Sequence, residues 1–376
     1  MSKKTDVIEL TRKLIRFNTI NPPGNEGPCA EFLGDLLASA GFAVRFHEFA
    51  PGRTGLVARR GGCSEKKPLC LAGHIDTVPL GGASWRTDPF GGEIAGGKLY
   101  GRGSSDMKSG IAAAVAAGIA LADRLDSTPG LTLVFVAGEE TGCEGSAYLA
   151  TVPEELGEAG ALIVAEPTGN IPIIGHKGAF WLDAVTCGKS AHGSMPEKGE
   201  NAIYKAARAV LKLEQFDFGI APHPYLGRPT LNVGVISGGV NINSVPDRTA
   251  FGIDIRTVPG LSHDALFRRL SEALGDEVML SQSVSVEGLW TEPSHPWIES
   301  VCETLTPILG ERPEVRTVSY FTDAGYLMPA FGGVPSLIMG PGEAGMAHQT
   351  DEYCFLEKIG QAVEIYTQIV AEWCGL

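Results

Sequence analysis

Short apolar runs and longer helical patterns alternate along the first part of the chain. Apolar residues fill positions 68–73, 131–137 and 161–165 almost without interruption. Such runs predict strands that are buried on both faces of a sheet. Helical patterns lie before and between them at 5–17, 29–40 and 109–125. The alternation predicts an α/β domain whose sheet is covered by helices on both faces.

The order of predicted strands and helices changes near residue 177. From there the pattern predicts the order β-α-β-β-α-β, with strands at 180–186, 230–236, 249–256 and 278–286 and helices at 201–216 and 262–274. This order matches the split βαβ plan of ferredoxin-like α+β domains. After Pro293 the α/β pattern returns. We therefore predict a discontinuous first domain, 1–177 and 289–376, into which a second domain, 178–288, is inserted.

Length and charge narrow the classes of protein to which the chain can belong. A chain of 376 residues is too long for one compact core, which agrees with two domains. The net charge of −14 argues against a nucleic-acid partner, because phosphate backbones bind basic surfaces. The N-terminal residues lack a long apolar stretch, so we expect neither a signal peptide nor a membrane span. The eight cysteines are scattered without a Cys-x-x-Cys pair, which predicts reduced thiols in a cytoplasmic protein.

Two adjacent carboxylates, Glu139 and Glu140, follow the apolar run at 131–137. Within a strand they would point to opposite faces, and one would be buried at a cost without a partner. Beyond the end of the strand, a turn can direct both into one cleft. Their repulsion then needs a cation or a shared proton to offset it. The pair therefore indicates metal chemistry, in which one carboxylate binds the metal and the other moves protons. An exposed acidic loop is the alternative.

Further polar residues lie at the ends of other predicted elements. His74 and Asp76 follow the first apolar run, with a spacing that lets the carboxylate orient a metal-binding imidazole; a polar pair at a turn is the alternative. Asp106 precedes the helix at 109–125, as a bridging ligand or as a helix cap. Glu166 follows the third run, where α/β sheets place their sites. His348 lies in a glycine-rich loop and, taken alone, is an ordinary loop histidine.

Together these side chains form a ligand set without a thiolate. Imidazole nitrogen and carboxylate oxygen suit Zn²⁺, Co²⁺ or Mn²⁺. Two imidazoles and four carboxylates are enough for two metals that share one bridging ligand, as in aminopeptidase-type centres. We therefore predict that they meet at one edge of the sheet.

Seven segments, in order along nearly the whole chain, resemble the M20 family of metallopeptidases and deacylases, which includes acetylornithine deacetylases and succinyl-diaminopimelate desuccinylases. The segments are 73–79 (GHIDTVP), 85–90 (WRTDPF), 101–110 (GRGSSDMKSG), 138–140 (GEE), 166–168 (EPT), 190–194 (SAHGS) and 347–348 (AH). The resemblance implies a mixed-sheet catalytic domain like that of zinc aminopeptidases. It also implies that the inserted ferredoxin-like domain is a lid and a dimerisation domain.

The resemblance further implies two divalent metals, with zinc in the first place and cobalt or manganese as substitutes. It assigns His74 and Glu166 to one metal, Glu140 and His348 to the other, and Asp106 to both as the bridge. These are the residues that the ends of the predicted elements supply.

The same resemblance implies a hydrolase of linear amide bonds and the roles of its catalytic residues. Asp76 orients His74. Glu139 is the general base, which takes a proton from the metal-bridging water that attacks the amide carbonyl and passes it to the leaving amine. His192 corresponds to a lid histidine that stabilises the oxyanion, often from the partner subunit; a surface histidine is the alternative.

The predicted function is the removal of an acyl group from an N-acyl amino acid. An M20 dipeptidase or carboxypeptidase is the alternative. A non-catalytic binding protein on the same fold is a third hypothesis, against which the intact ligand set argues. We expect a small N-acyl amino acid or a short peptide as the partner, and a homodimer through the inserted domain.

Four more residues match substrate-contacting positions of the family: Lys177, Asn243, Arg256 and Thr322. Arg256 is able to hold a carboxylate through two parallel hydrogen bonds. The segment around Lys177 is similar to the acetylornithine deacetylase form. The segment 320–325 (YFTDAG) departs from both that form and the desuccinylase form, so the acyl group stays open.

Overall fold

The chain folds as two units in the computed structural model, which describes residues 5–376. The first unit comprises the chain up to Gly175 together with Trp290–Thr317 and Thr322–Leu376. The second comprises His176–Leu289 and Val318–Phe321. Residues 1–4 belong to the N-terminal stretch from which we expect no signal peptide, and they lie outside the described residues.

Helices and strands agree with the predicted elements to within a few residues in most places. The helices of residues 5–376 are α1 (Val7–Ile15), α2 (Gly27–Ser39), α3 (Lys108–Leu121), α4 (Glu144–Ala150), α5 (Pro153–Leu156), α6 (Ala202–Glu214), α7 (His263–Leu274), α8 (Pro296–Leu309), α9 (Ala324–Ala330) and α10 (Leu356–Cys374). The strands are β1 (Ala43–Ala50), β2 (Arg53–Arg60), β3 (Leu69–His74), β4 (Ile94–Ala95), β5 (Lys98–Tyr100), β6 (Leu131–Val136), β7 (Ala161–Val164), β8 (Ile173–His176), β9 (Gly178–Cys187), β10 (Ala191–His192), β11 (Thr230–Gly238), β12 (Ser244–Val245), β13 (Arg248–Thr257), β14 (Val278–Val286), β15 (Leu289–Trp290), β16 (Arg316–Val318), β17 (Ser336–Ile338) and β18 (Tyr353–Phe355).

The first unit is built on a mixed sheet. The strand order is β1-β2-β6-β3-β7-β17-β8-β15, and β16 also pairs with β8. The strands β6, β3, β7 and β17 are parallel to one another, whereas β1 and β2 are antiparallel. Every residue of β3, β6 and β7 is buried. Because successive side chains of a strand point to opposite faces, both faces of the sheet are covered. The predicted mixed-sheet α/β fold is confirmed.

Small side chains let α3 lie close to this sheet. The helix is buried along most of its length and contacts α1, α10 and β3. A Cβ atom at Gly110 would lie 2.2 Å from the carbonyl oxygen of Ala165, so glycine is required for the approach. The start of α3, and with it Asp106, is thereby positioned beside the end of β7.

The second unit contains one antiparallel sheet with the strand order β11-β13-β9-β14. Side chains along β13 alternate in burial, and Phe251, Ile253 and Ile255 form its buried face. This face packs with apolar residues of α6 and α7 in one core. Asn201 and Ser262 cap the two helices with their side chains. Apart from the two-residue strands β10 and β12, the order of elements is the β-α-β-β-α-β order that the pattern predicts.

Two further properties follow from the described residues. No helix within 5–376 combines the length and the apolar character that crossing a membrane requires. All eight cysteines are free thiols, as their scattered spacing predicts. Six of them are buried, and Cys63 and Cys187 are exposed.

Candidate metal centre

Three parallel strands bring predicted site residues to one edge of the sheet. His74 is the last residue of β3, Glu139 and Glu140 follow β6, and Glu166 follows β7. The strand β3 pairs in parallel with both β6 and β7. The carboxyl ends of the three strands therefore coincide, which is where open α/β sheets place their sites.

A tight turn after β6 directs the two glutamates. Gly138 has a φ of +80°, a left-handed conformation that favours glycine. The Asp76 carboxylate accepts hydrogen bonds from both amides of the pair, with Oδ1 3.1 Å from Glu139 N and Oδ2 3.2 Å from Glu140 N. Asn21 Nδ2 donates a further bond to Asp76 Oδ2 at 2.9 Å. Asp76 thus holds the backbone of the pair, a role that sequence reasoning did not foresee.

His74 presents Nε2 to two carboxylates. This atom lies 3.2 Å from Asp106 Oδ1 and 3.8 Å from Glu166 Oε1. The other ring nitrogen, Nδ1, lies 3.0 Å from the carbonyl oxygen of Asp76 and 3.5 Å from its Oδ1. A proton on Nδ1 that is donated to Asp76 leaves the lone pair of Nε2 free for a cation. The shorter of the two contacts with Asp76 is to the main chain.

His348 faces the second oxygen of Asp106. Its Nε2 lies 3.0 Å from Glu140 Oε2 and 3.6 Å from Asp106 Oδ2. The two oxygens of Asp106 therefore face one histidine each. His348 has a φ of +63°, a conformation that non-glycine residues adopt mostly where tertiary structure imposes it. The N-cap of α3 is Met107 and no side chain caps this helix, so Asp106 is not the helix cap of the alternative interpretation.

The loop that carries Asp106 is held by Glu352, a residue for which sequence reasoning found no role. Its carboxylate accepts four hydrogen bonds of 2.6–2.9 Å, from Arg102 Nη1, Gly103 N, Ser105 N and Asp106 N. The side chains of Glu352 and Arg102 are both buried. Glu352 reaches this loop because β18 pairs with β5, with Tyr353 opposite Tyr100. No local pattern around Glu352 signals a partner so distant in sequence.

Burial makes the negative charge at this edge costly. Burial raises the pKa of Glu139 well above its usual range, raises the pKa of Glu140, and raises the pKa of Glu166 to about 7. Burial would lower the pKa of His74, but the charge of Glu166 and hydrogen bonds to two aspartates hold that pKa well above its ordinary value. Glu140 Oε1 is buried and has no hydrogen-bond partner among residues 5–376. A bound cation would supply the missing counter-charge.

The donor set fits divalent cations. One ligand atom each from His74, Asp106 and Glu140 lies within 4.8 Å of the others. Glu166 and His348 border this group through their contacts with His74 and Glu140. Imidazole nitrogen together with carboxylate oxygen suits Zn²⁺, Co²⁺ or Mn²⁺. The unpaired oxygen of Glu140 agrees with a site built for positive charge.

Thr322, one of the predicted substrate contacts, lies in the first unit and is fully buried. Its Oγ1 accepts a hydrogen bond from Ala324 N at 3.2 Å. In this structure the hydroxyl therefore organises the start of α9.

His192 and Asn243 are neighbours within the second unit. The strands β10 and β12 pair so that His192 lies opposite Ser244. Gly193 N donates to the carbonyl oxygen of Asn243 at 2.7 Å. The ring of His192 is exposed, and its Nδ1 lies 2.7 Å from Ser194 Oγ. The pairing thus brings these two predicted residues together.

Lys177 and Arg256 are also close to each other in the second unit. Burial and the charge of Arg256 lower the pKa of Lys177, whose Nζ donates to the carbonyl oxygen of Arg228 at 2.6 Å. Arg256 Nε lies 3.0 Å from Asp254 Oδ1, and its guanidinium stands 6.0 Å from the ring centroid of Trp181. The positively charged side chains of Lys177 and Arg256 would both favour an anionic group of a bound molecule.

Comparisons with known proteins agree with this architecture. The sequence profile of peptidase family M20/M25/M40 matches residues 70–372. The chain is 31% identical to an acetylornithine deacetylase of Vibrio atlanticus (strain LGP32) over 367 residues, which cover 93% of this chain and 92% of the relative. It is 32% identical to an acetylornithine deacetylase of Myxococcus xanthus over 370 residues, again 93% of this chain and 92% of the relative.

A solved structure shares the fold. The M20 family metallo-carboxypeptidase Sso-CP2 from Sulfolobus solfataricus superimposes with a TM-score of 0.81 at 18% identity, over 99% of this chain and 100% of that chain. Identity at this level supports the fold alone, whereas the sequence profile and the two acetylornithine deacetylases show the family. The chain therefore belongs to peptidase family M20/M25/M40 and is a hydrolase that acts on amide bonds.

Proposed function

We propose that the protein is a dimetal amidohydrolase that removes the acyl group from an N-acyl amino acid. The observation that carries this proposal is the convergence of two histidines and three carboxylates at one edge of the sheet, with Glu139 directly beside them. Support for the substrate class comes from the relatives, which match 93% of this chain and whose name describes the deacylation of an N-acyl amino acid.

We assign two divalent cations to five ligands. His74 and Glu166 would hold one cation, Glu140 and His348 the other, and Asp106 would offer one oxygen to each. The separate contacts of the two Asp106 oxygens with the two histidines support this division. Zinc is the cation we propose, with cobalt or manganese as substitutes. Cations bound there would polarise the amide carbonyl and lower the pKa of water.

Glu139 is the carboxylate that this assignment leaves without a metal. Burial, followed by the charges of neighbouring carboxylates, raises its pKa well above the usual range. A carboxylate shifted in this direction exchanges protons more readily near neutral pH. In the proposed reaction Glu139 takes the proton of the attacking water and delivers it to the nitrogen of the leaving amine. Asp76 keeps the base in place by accepting a hydrogen bond from its backbone amide.

The remaining substrate-binding roles rest on the resemblance. In the second unit, His192 is proposed to stabilise the oxyanion, and substrate contacts are proposed for Lys177, Asn243 and Arg256. A further substrate contact is proposed for Thr322 of the first unit. The discontinuous domain, 1–177 and 289–376, would carry the metals. The inserted domain, 178–288, would serve as the lid.

Assembly as a homodimer through the inserted domain belongs to the same proposal. The edge strand β11 leaves Val235 and Ile236 exposed at 69% and 54%, and an exposed edge strand is able to pair with a second copy. Light scattering should give twice the 39.6 kDa of one chain. Ile236→Lys should shift the protein toward the monomer. A monomeric mass for the parent at all concentrations would contradict the dimer.

The substrate class is tested with zinc-loaded enzyme on a panel of N-acetyl, N-succinyl and N-formyl amino acids and of dipeptides. We expect release of free amine from N-acyl amino acids with a free carboxylate, at a higher kcat/KM than from any dipeptide. Glu139→Gln protein, purified in the same way, controls for contaminating hydrolases. Hydrolysis confined to dipeptides would overturn the deacylase and support the M20 dipeptidase alternative.

A further inference from the structure

Cys143, four residues beyond Glu139, has an unusual position. It is completely buried and precedes α4, without a hydrogen bond from its side chain to the end of the helix. Its φ is +61°, a left-handed conformation in which a Cβ atom is unfavourable and where glycine would be at ease. A residue held in this way against its own preference points to a use for its side chain.

The thiol of Cys143 contacts the carboxylate of Glu139. The distance from Sγ to Glu139 Oε1 is 3.7 Å, within reach of a hydrogen bond from a thiol. Burial, followed by the charge of Glu139, raises the pKa of the thiol well above its ordinary value. The sulfur therefore keeps its proton and acts as a donor.

A second buried carboxylate lies behind the thiol. Asp323 is completely buried, accepts a hydrogen bond from Ser146 Oγ at 2.6 Å, and adds to the rise in the pKa of Cys143. The thiol of Cys143 also interacts with this carboxylate, so Asp323 is a second acceptor near the same proton. Ser146 Oγ also lies 3.1 Å from the carbonyl oxygen of Cys143. Cys143 is thus enclosed between two acidic groups, and its backbone and side chain are both held.

We propose that Cys143 is a positioning residue for Glu139, an inference that rests on the proton-transfer role proposed above. A hydrogen bond from the thiol to Oε1 restricts rotation of the carboxylate. The other oxygen, Oε2, then keeps the orientation in which it takes the proton of the attacking water. The backbone of Glu139 is fixed independently by Asp76, so the thiol governs the side chain rather than the turn.

The test compares Cys143→Ala, Cys143→Ser and Cys143→Gly with the parent enzyme. Cys143→Ala should lower kcat by about five- to tenfold, the range expected for one ordinary hydrogen bond from a weak donor such as a thiol, with little change in KM or in metal content. Cys143→Ser should restore most of kcat, because a hydroxyl donates from the same place. Cys143→Gly should lose kcat like the alanine variant. Its melting temperature should be at least as high as that of Cys143→Ala, because glycine relieves the left-handed conformation.

The outcomes separate this inference from the proposed function. Parent-like kcat in Cys143→Ala or Cys143→Gly would overturn the positioning role. A loss of kcat that follows the melting temperature across the variants, or that serine does not recover, would also overturn it, because a merely structural residue behaves in that way. Glu139→Gln is measured alongside. If that variant keeps full activity, the proposed function fails; if it is inactive while Cys143→Ala is normal, only the inference about Cys143 fails.

Discussion

Replacing Glu139 by glutamine is expected to lower kcat by about 10²–10⁴-fold, the contribution of a positioned acid–base group. Glutamine has the size of glutamate but takes no proton from water. The backbone amide at this position still donates to Asp76, so the turn that carries the pair should persist. Steady-state kinetics on the best N-acyl amino acid of the panel measure the effect, and KM should change far less than kcat.

The matched control is Glu140→Gln, the same change at the neighbouring residue. Glu140 Oε2 lies 3.0 Å from His348 Nε2, and we assign it to a cation. Elemental analysis should therefore show less zinc in Glu140→Gln, whereas Glu139→Gln should retain the zinc of the parent. Unchanged kcat in Glu139→Gln would remove this residue from the mechanism. Equal loss of zinc in both variants would make both glutamates ligands.

The edge of the sheet at which these residues meet could be predicted from the chain. The strands β3, β6 and β7 are buried on both faces, so their sequences are continuously apolar and their ends are easy to locate. A polar residue directly after such a strand, such as Glu166, must lie at its carboxyl end. The resemblance to the M20 family then assigned roles to the candidate residues. These include His348, whose loop has no periodic pattern.

The contacts that hold this edge could not be predicted, because they join residues that are distant in sequence. Asn21 bonds to Asp76 and to Thr141, which lie 55 and 120 positions away. Glu352 bonds to a loop about 250 positions away. Hydrophobic periodicity reports on the faces of one element and carries no information on such pairs.

The sequence pattern also predicts poorly where elements end and where very short strands lie. The alanine-rich pattern predicts a helix to residue 125, whereas α3 ends at Leu121 and a 3₁₀ turn, Ala122–Arg124, follows. A 3₁₀ turn commonly follows the last turn of an α-helix, so the pattern does not mark the change. The strands β4, β5 and β18 have two or three residues each, which is too short for a period to show. One of these, β18, is the strand that brings Glu352 to the metal centre.

Glu352→Ala is expected to destabilise the protein by about 3–5 kcal/mol, because it leaves the buried guanidinium of Arg102 without its carboxylate. Burial raises the pKa of Glu352 to about 7, so the intact pair itself adds little net stability. The cost of the substitution comes from the charge that remains, and from three backbone amides that lose their acceptor. Urea unfolding at pH 8, where the parent carboxylate is ionised, measures the change.

The loop carrying Asp106 makes this a functional prediction as well. The backbone amide of Asp106 is one of the three amides that donate to Glu352. Glu352→Ala should therefore weaken zinc binding along with stability. Glu299→Ala, which breaks an exposed ion pair with Arg312 in the same unit, is the control, with an expected change below about 1 kcal/mol and unaltered zinc affinity. If both substitutions cost equally little, the buried pair does not hold the loop. If Glu352→Ala unfolds more easily yet binds zinc as the parent does, Glu352 supports the fold and Asp106 is positioned by other contacts.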